Sequence, residues 1–369
     1  MTSRRDYGDG GLDQRGDDQW RLRWRVGGKR YSKAFHGTKR AAQAELRRIV
    51  MEADTGAAVA PIKLTVRQHL GHWLDGMHGL SAKTRERYKQ LVENQINPHL
   101  GDTLLQALRP AQVKAWHGKL IESGLSAVTV GNAHRALHRA LQHAVEIELL
   151  ERNVAGVVRP PKPERAQVEI LKADQIADAL SRLREIKHRL YPIAALALGT
   201  GMRRGEICAL AWTAVDLESG TVRVERSLEQ TDALRFKTPK TRAGVRTITL
   251  PPSVVDALRE HRVHQNEHCL RHQLGRFELV FALADGSPYP PDRLSGDWIE
   301  AVRAHKLPQV KFHALRHSHA SALIAAGLDV VSVSQRLGHA SPSITLSVYA
   351  HQFRPRDDAA ARAIEAVLS

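Results

Sequence analysis

Read for the spacing of its apolar residues, the chain falls into three stretches of different period. Near the N-terminus Trp20, Leu22, Trp24 and Val26 alternate with Arg21, Arg23 and Arg25, the chain turns at Gly27-Gly28, and bulky residues resume at Tyr31 and Phe35. Period two about a Gly-Gly turn predicts a β-hairpin with one apolar and one cationic face. The next segment, TKRAAQAELRRIV, predicts a helix with Thr38 as its N-cap. Then the period lengthens: Trp73, Leu74, Leu91, Ile96, Leu104, Leu105, Val113, Trp116, Leu120, Leu137, Leu141 and Val145 recur at helical spacings. Ser81 and Ser126 each precede a helix that turns basic residues outward, and Pro98 lies near the end of the first. Beyond residue 167 helices surround three short β-branched runs, GTVRVERSL, ALRFKT and GVRTITL, which predict a three-stranded meander.

Proline-containing breaks at TGAAVAPIK (55–63) and RPPKPERAQ (159–167) read as linkers, because prolines stiffen the chain and interrupt helices. They divide the 369 residues into three parts, 1–61, 62–160 and 161–369. The fold expected is mainly α with small β-sheets.

Charge narrows the partner. Lys and Arg total 55 against 39 Asp and Glu, a net charge of +16, which favours a polyanion. From Arg21 to Arg48 there are ten Lys or Arg and a single acid, Glu45, beside aromatics on a strand, the pattern of a small nucleic-acid-binding module. A membrane fits less well, since no apolar run approaches the ~20 residues of a spanning helix and no lipidation motif is present. The first residues lack the apolar segment of a secretory signal, and two cysteines, Cys208 and Cys269, suit packing in a reducing cytoplasm.

Chemistry concentrates in the last part. In LGTGMRRGEICALAW a Thr-Gly turn precedes a helix whose apolar stripe includes Arg203, with Arg204 projecting away. Arg203 either pairs with Glu206 or, with the free N–H groups of the helix start, meets a phosphate; both readings stand on this motif alone. In KFHALRHSHASALIAAG, His313, Arg316 and His317 share a meridian with Ala320, Leu323 and Ile324, as where a helix runs from a cleft into a core, with Gly327 ending it. LDVVSVSQRLGHAS predicts a helix closed by Gly338 with His339 just beyond. Ser341 and Pro342 start another, with Ile344 and Val348 as its stripe and Tyr349 at its edge. Arginines, histidines, a tyrosine and a lysine are the parts of a metal-free phosphoryl transfer site: guanidiniums hold non-bridging oxygens, a histidine takes the phenol proton, and a lysine protonates the departing oxygen.

The order Arg203, HALR, LGH, Tyr349 closely resembles the tyrosine recombinases, the phage integrase family, whose boxes T-G-x-R-x-x-E, H-x-L-R, L-G-H and a following tyrosine are all present. The resemblance implies a small β-β-β-α arm-type DNA-binding domain over 1–61, a helical, SAM-like core-binding domain over 62–160 and a mixed α/β catalytic domain over 161–369. By position, Arg203 and Arg316 would clamp the scissile phosphate, His313 would be general base and proton shuttle, and His339 would bond a phosphate oxygen. The lysine would be Lys240, with Lys237 the second choice, and Glu206 structural support. Tyr349 would attack a DNA phosphate, form a 3′-phosphotyrosyl bond and release a 5′-hydroxyl, with no cofactor and no metal.

DNA contacts are expected from Arg21, Arg23 and Arg25 in the arm and from Lys83, Arg85, Arg87 and Arg135 in the helical part. The resemblance further implies a homotetramer on double-stranded attachment sites, a DNA-bending host factor, an excision factor and a nucleoid-associated place in a bacterial cytoplasm. Ile364 and Leu368 suit a short C-terminal docking helix, in cis or in trans. Three other readings compete. His261, His264, His268 and Cys269 invite a zinc site, but no second ligand cluster completes one, and an exposed basic helix is the expectation. The chain as a DNA-binding regulator without catalysis, or as a type IB topoisomerase, makes the other two.

Overall fold

The computed structural model describes residues 10–26, 28–54, 60–164, 169–239, 242–350, 353 and 357–368. The chain divides into two compact units, residues 1–165 and 166–369.

In the first unit the predicted hairpin is present as β2 (Gln19–Val26) and β3 (Lys29–His36), with β1 (Gly11–Gly16) added on the other side of β2. Register sets Trp24 opposite Tyr31 and Trp20 opposite Phe35. Trp20, Leu22 and Trp24 are buried under Ala42, Leu46 and Ile49 of α1 (Lys39–Asp54), while Arg21, Arg23 and Arg25 point outward. Thr38 caps α1 as expected, its hydroxyl accepting from the Ala41 N–H. The same alternation that gave the strand its period therefore makes one face core and the other cationic.

A second hydrophobic cluster in this unit is built by α2 (Val66–Asp75), α3 (Ala82–Leu91), α4 (Asn97–Leu100), α5 (Pro110–Glu122) and α6 (Ala127–Glu146). Ser81 and Ser126 cap α3 and α6 by accepting from Thr84 and Thr129 N–H, each at 3.3 Å. Trp73, Leu91, Ile96, Leu105, Val113, Trp116, Leu120, Leu137 and Leu141 are buried as their spacing predicted, but Leu104 is exposed because it lies in the extended entry to a 3₁₀ turn.

Among its described residues the second unit contains α7 (Ala173–Glu185), the apolar α8 (Tyr191–Thr200), the short α9 (Arg204–Cys208), five strands and then helices. The strands are β4 (Val215–Asp216), β5 (Thr221–Val224), β6 (Ser227–Gln230), β7 (Leu234–Lys237) and β8 (Arg246–Thr249). They do not form the single meander expected from the three runs. β5 pairs with β4 and with β8, whereas β6 and β7 form a separate hairpin. The cause is visible in the run VRVERSLEQ: the buried Val222 and Val224 are followed by a break at Glu225-Arg226, after which Leu228 is the next buried residue. One apolar alternation is thus shared between two sheets.

The remaining helices are α10 (Pro252–Arg271), α11 (Pro291–Ala304), α12 (Phe312–Ala325), α13 (Val330–Leu337), α14 (Pro342–Tyr349) and α15 (Asp357–Leu368). α8, hydrophobic on nearly every side, lies in the main core, packed by α10 and α12. Both cysteines are buried and free, in keeping with packing roles. Among the described residues no helix is long and apolar enough to cross a membrane.

Candidate active site

The site is organised by the C-terminus of α13. A helix end leaves carbonyls without intrahelical donors and carries partial negative charge. Here Gly338, in the left-handed conformation at φ +68°, stops the helix, and the three last carbonyls each receive a guanidinium. Arg246 Nε donates to Arg336 O at 2.9 Å, Arg316 Nη2 to Leu337 O at 3.0 Å and Arg203 Nη2 to Gly338 O at 3.0 Å. Arg316 Nη1 also donates to Gly201 O at 2.6 Å, so two glycine turns hold one buried arginine from both sides.

Arg203 is not on the apolar stripe of its helix, as its spacing suggested. It is the N-cap residue of α9, and its side chain remains 40% exposed. Because α9 starts one residue later than the periodicity implies, the guanidinium leaves the core and opens toward solvent. Its partner is Glu206, which accepts from Arg203 Nη1 and from the Arg203 backbone N–H, both at 2.8 Å. Glu206 also accepts from Arg246 Nη2 at 2.9 Å. Burial pushes the Glu206 carboxyl up, but the hydrogen bond and charge of Arg246, joined by Arg203, outweigh it and hold the group below its ordinary value. The structural role expected of Glu206 is what the geometry shows. Arg246, its side chain buried on β8, was missed; the strand sequence AGVRTI carries no mark that its arginine reaches across to another motif.

Arg316 is pressed down to about 9 by burial and then by the charge of Arg203, so it stays cationic at neutral pH. His339 is half-buried, its Nδ1 bonded to Thr345 Oγ1 at 2.8 Å. Burial and then the charges of Arg316, Arg203 and Arg246 lower its imidazole to about 4. His313 is solvent-exposed in the first turn of α12. Its ring meets the edge of His317 at 4.8 Å, the planes at 90°. Crowding that displaces water, and then the charges of His317, Arg316, Arg203 and Arg204, hold His313 well below its ordinary value.

Tyr349 ends α14 and is 2% exposed. It packs with Ala320, Ile324, Val333 and Leu337 in a cluster separate from the main core. The expected stripe of α14 is rotated: Ile344 is 43% exposed, and Thr345 and Tyr349 are the buried positions. The polar anchors set that rotation, Thr345 to His339 and Tyr349 to His317. The Tyr349 Oη lies 2.5 Å from His317 Nδ1. Burial lifts the phenol to about 12, opposed by the charge of Arg316.

The candidate lysine Lys240 lies outside the described residues, as does the segment 354–356. The alternative Lys237 ends β7 and is paired with Glu229 of β6. In the N-terminal sheet, Arg23 is bridged to Asp13 at 2.8 Å and Arg21 donates to Ser32 Oγ at 3.2 Å. Lys83, Arg85 and Arg87 are exposed on α3, and Arg135 on α6 donates to Asn132 Oδ1 at 2.5 Å. The histidines of HRVHQNEHC do not all face solvent: His261 Nε2 is 2.6 Å from Val280 O and His268 Nε2 is 2.8 Å from Ala284 O. Among the described residues no group of His, Cys, Asp or Glu is placed to hold a metal ion.

Comparison with known proteins places these elements in a family. A model described as "Phage integrase family" matches residues 169–356, and one described as "Phage integrase, N-terminal SAM-like domain" matches residues 65–121. The chain is 29% identical to a "Tyrosine recombinase XerC-like" protein of Caldanaerobacter subterraneus subsp. tengcongensis, over 88% of this chain and 89% of the relative. Its fold is similar to that of the Tn1549 transposon integrase in complex with transposon right end DNA, at TM-score 0.72 and 21% identity, over 83% of this chain and 100% of the other. It is also similar to that of the lambda integrase in a tetramer bound to a Holliday junction, at TM-score 0.60 and 20% identity, over 95% of this chain and 97% of the other.

Proposed function

The chain belongs to the phage integrase family, and we propose from that premise how its site works. It is a tyrosine-type site-specific DNA recombinase serving a phage or other mobile element. DNA is its partner, and it acts as an oligomer. The observation that carries the site assignment is the convergence of Arg203, Arg316 and His339 on one helix terminus, with Tyr349 on the next helix.

In this reading the exposed face of Arg203 and the buried Arg316 bind the non-bridging oxygens of the scissile phosphate and stabilise its charge as phosphorus becomes five-coordinate. His339, kept neutral, hydrogen-bonds a phosphate oxygen. Tyr349 Oη attacks as its proton passes to a histidine of α12; the Oη–P bond forms as the P–O5′ bond breaks, leaving a 3′-phosphotyrosyl link and a 5′-hydroxyl. Lys240 protonates the departing oxygen, and His313 carries protons between site and solvent. A 5′-hydroxyl from a partner strand then attacks the link and returns the tyrosine. Bond energy is retained in the link, so strand joining proceeds without an added energy source.

Around this centre the proposal keeps three modules, 1–61 as an arm-type binder, 62–160 as a core-site binder and 161–369 as the catalytic domain. Arg21, Arg23, Arg25, Lys83, Arg85, Arg87 and Arg135 contact the backbone of double-stranded attachment sites. The working assembly is a homotetramer, assisted by a DNA-bending host factor and an excision factor, in a bacterial cytoplasm on the nucleoid.

Covalent protein–DNA adducts trapped from cells expressing the wild-type chain or Tyr349→Phe test the centre, with the attached DNA sequenced. Adducts at one recurrent site, absent from the variant, are expected and would name the target. Equal adducts in both would make Tyr349 structural and sink the assignment.

A further inference from the structure

We propose that His317, and not His313, is the group that holds the Tyr349 hydroxyl and receives its proton as the bond to phosphorus forms. The inference rests on the assignment of Tyr349 as nucleophile made above. Among the described residues Tyr349 Oη has one hydrogen-bond partner, His317 Nδ1, at 2.5 Å. The ring centroids of the two residues lie 5.8 Å apart. His313 is one helical turn earlier, on the solvent-exposed side, its ring perpendicular to that of His317, and among the described residues it makes no hydrogen bond to the tyrosine.

The direction of the hydrogen bond follows from the surroundings. His317 is half-buried, and burial with the neighbouring Arg316 disfavours its protonated form, while burial also keeps the phenol protonated. The hydroxyl therefore donates and Nδ1 accepts, which places the ring proton on Nε2. The groups facing this pair are Arg316 and His313 on α12 and His339 beyond α13. An imidazolium formed among them is unfavourable until the phosphodiester adds its negative charge, so proton transfer is tied to substrate arrival.

The step balances. The Oη–H bond breaks as Nδ1–H forms; Oη–P forms as P–O5′ breaks; a separate acid, assigned to Lys240, supplies the proton of the 5′-hydroxyl. In the return step a 5′-hydroxyl displaces the tyrosine, its own proton passes to the deprotonated form of that acid, and Nδ1–H returns its proton to the phenolate.

The test is single-turnover cleavage by the full chain on a nicked duplex carrying the site recovered from the adducts. Wild type, Tyr349→Phe, His317→Ala and His317→Asn are compared on the ordinary substrate. They are compared again on one with sulfur in place of the bridging 5′ oxygen, which leaves without a proton. Asparagine keeps an acceptor at the Nδ1 position but cannot take the proton. His317→Asn is expected to bind DNA and melt as wild type does, to cleave about 10²- to 10⁴-fold more slowly, and to stay slow on the sulfur substrate. It is also expected to lose the acidic limb of the wild-type pH–rate profile, and added imidazole is expected to restore part of the rate to His317→Ala. Cleavage by His317→Asn at the wild-type rate, or its full rescue by the sulfur leaving group, overturns the proposal. A wild-type chain that forms no adduct fails at the earlier assignment instead, so the two failures are distinct.

Discussion

The two sides of the active site are built differently. The side proposed to hold phosphate is anchored in the main core: Arg203 follows α8, Arg316 sits beside the core residue Leu315, and Arg246 lies on a strand whose Ile248 is buried in the same cluster. The nucleophile side rests on the small group Ala320, Ile324, Val333, Leu337 and Tyr349. Local stability follows the amount of buried apolar contact, so the backbones that carry the arginines are the firmer part, and α13, whose end carbonyls they bind, joins them to the less buried side. For the proposed reaction, in which Tyr349 attacks, waits as an ester and then leaves, that difference places motion with the proposed nucleophile and the firmer packing with the arginines.

The sharpest way to break the contrast is Glu206→Gln. It leaves two arginines short of their buried counter-charge, and denaturant unfolding is expected to show about 3–5 kcal/mol of lost stability. A change near that of a surface pair would mean the clamp is not preorganised by Glu206. Arg316→Ala strips donors from Gly201 O and Leu337 O, and cleavage is expected to fall about 10²- to 10³-fold. If the rate holds, Arg316 does not meet the phosphate.

Leu337→Ala probes the other side. It should destabilise by about 2–5 kcal/mol, and hydrogen exchange should localise the loss to α13 and α14 while α8 amides stay protected. Equal loss in α8 would merge the two regions into one. Acid provides a finer separation. His339 and His319 are held near 4 by burial first and neighbouring arginines, so the unfolded chain binds protons before the folded one does. Stability is therefore full above about pH 6.5 and falls as pH drops toward 4, a window a pH series of melting temperatures reads directly. Flat behaviour there would contradict the enclosure of these rings. The smallest effect belongs to the N-terminal sheet: Arg23→Ala removes an exposed bridge to Asp13 and should move stability by under about 1 kcal/mol while weakening the proposed DNA binding.

Local chemistry made much of this legible. Serine caps, alternating tryptophans and the glycine after Leu337 each act within a few residues, and the structure shows them where spacing put them. What escaped depends on distant partners. Arg246 gains its role from Glu206 and from the end of α13, forty and ninety positions away along the chain. The run holding Val222, Val224 and Leu228 has one period but serves two sheets, a choice made by β8 arriving later in the chain. Period alone put Ile344 on the buried side of α14, whereas hydrogen bonds to His339 and His317 turned Thr345 and Tyr349 inward. The resemblance put the base at His313; His317, four residues further along the same helix, gained its claim only from the tyrosine placed beside it.

Gly338 turns the backbone so that its own carbonyl meets Arg203, and a Cβ there would lie 2.7 Å from Arg246 Nη1 and 3.0 Å from Ala243 O. Added to a positive φ, this means any side chain at 338 strains the turn and pushes on the Arg246 guanidinium, although the residue has no side chain to offer DNA. In a library sampling every codon at each position, 338 would stand among the intolerant positions. Its losses would show as unfolded or clampless protein rather than as intact enzyme that binds and does not cut.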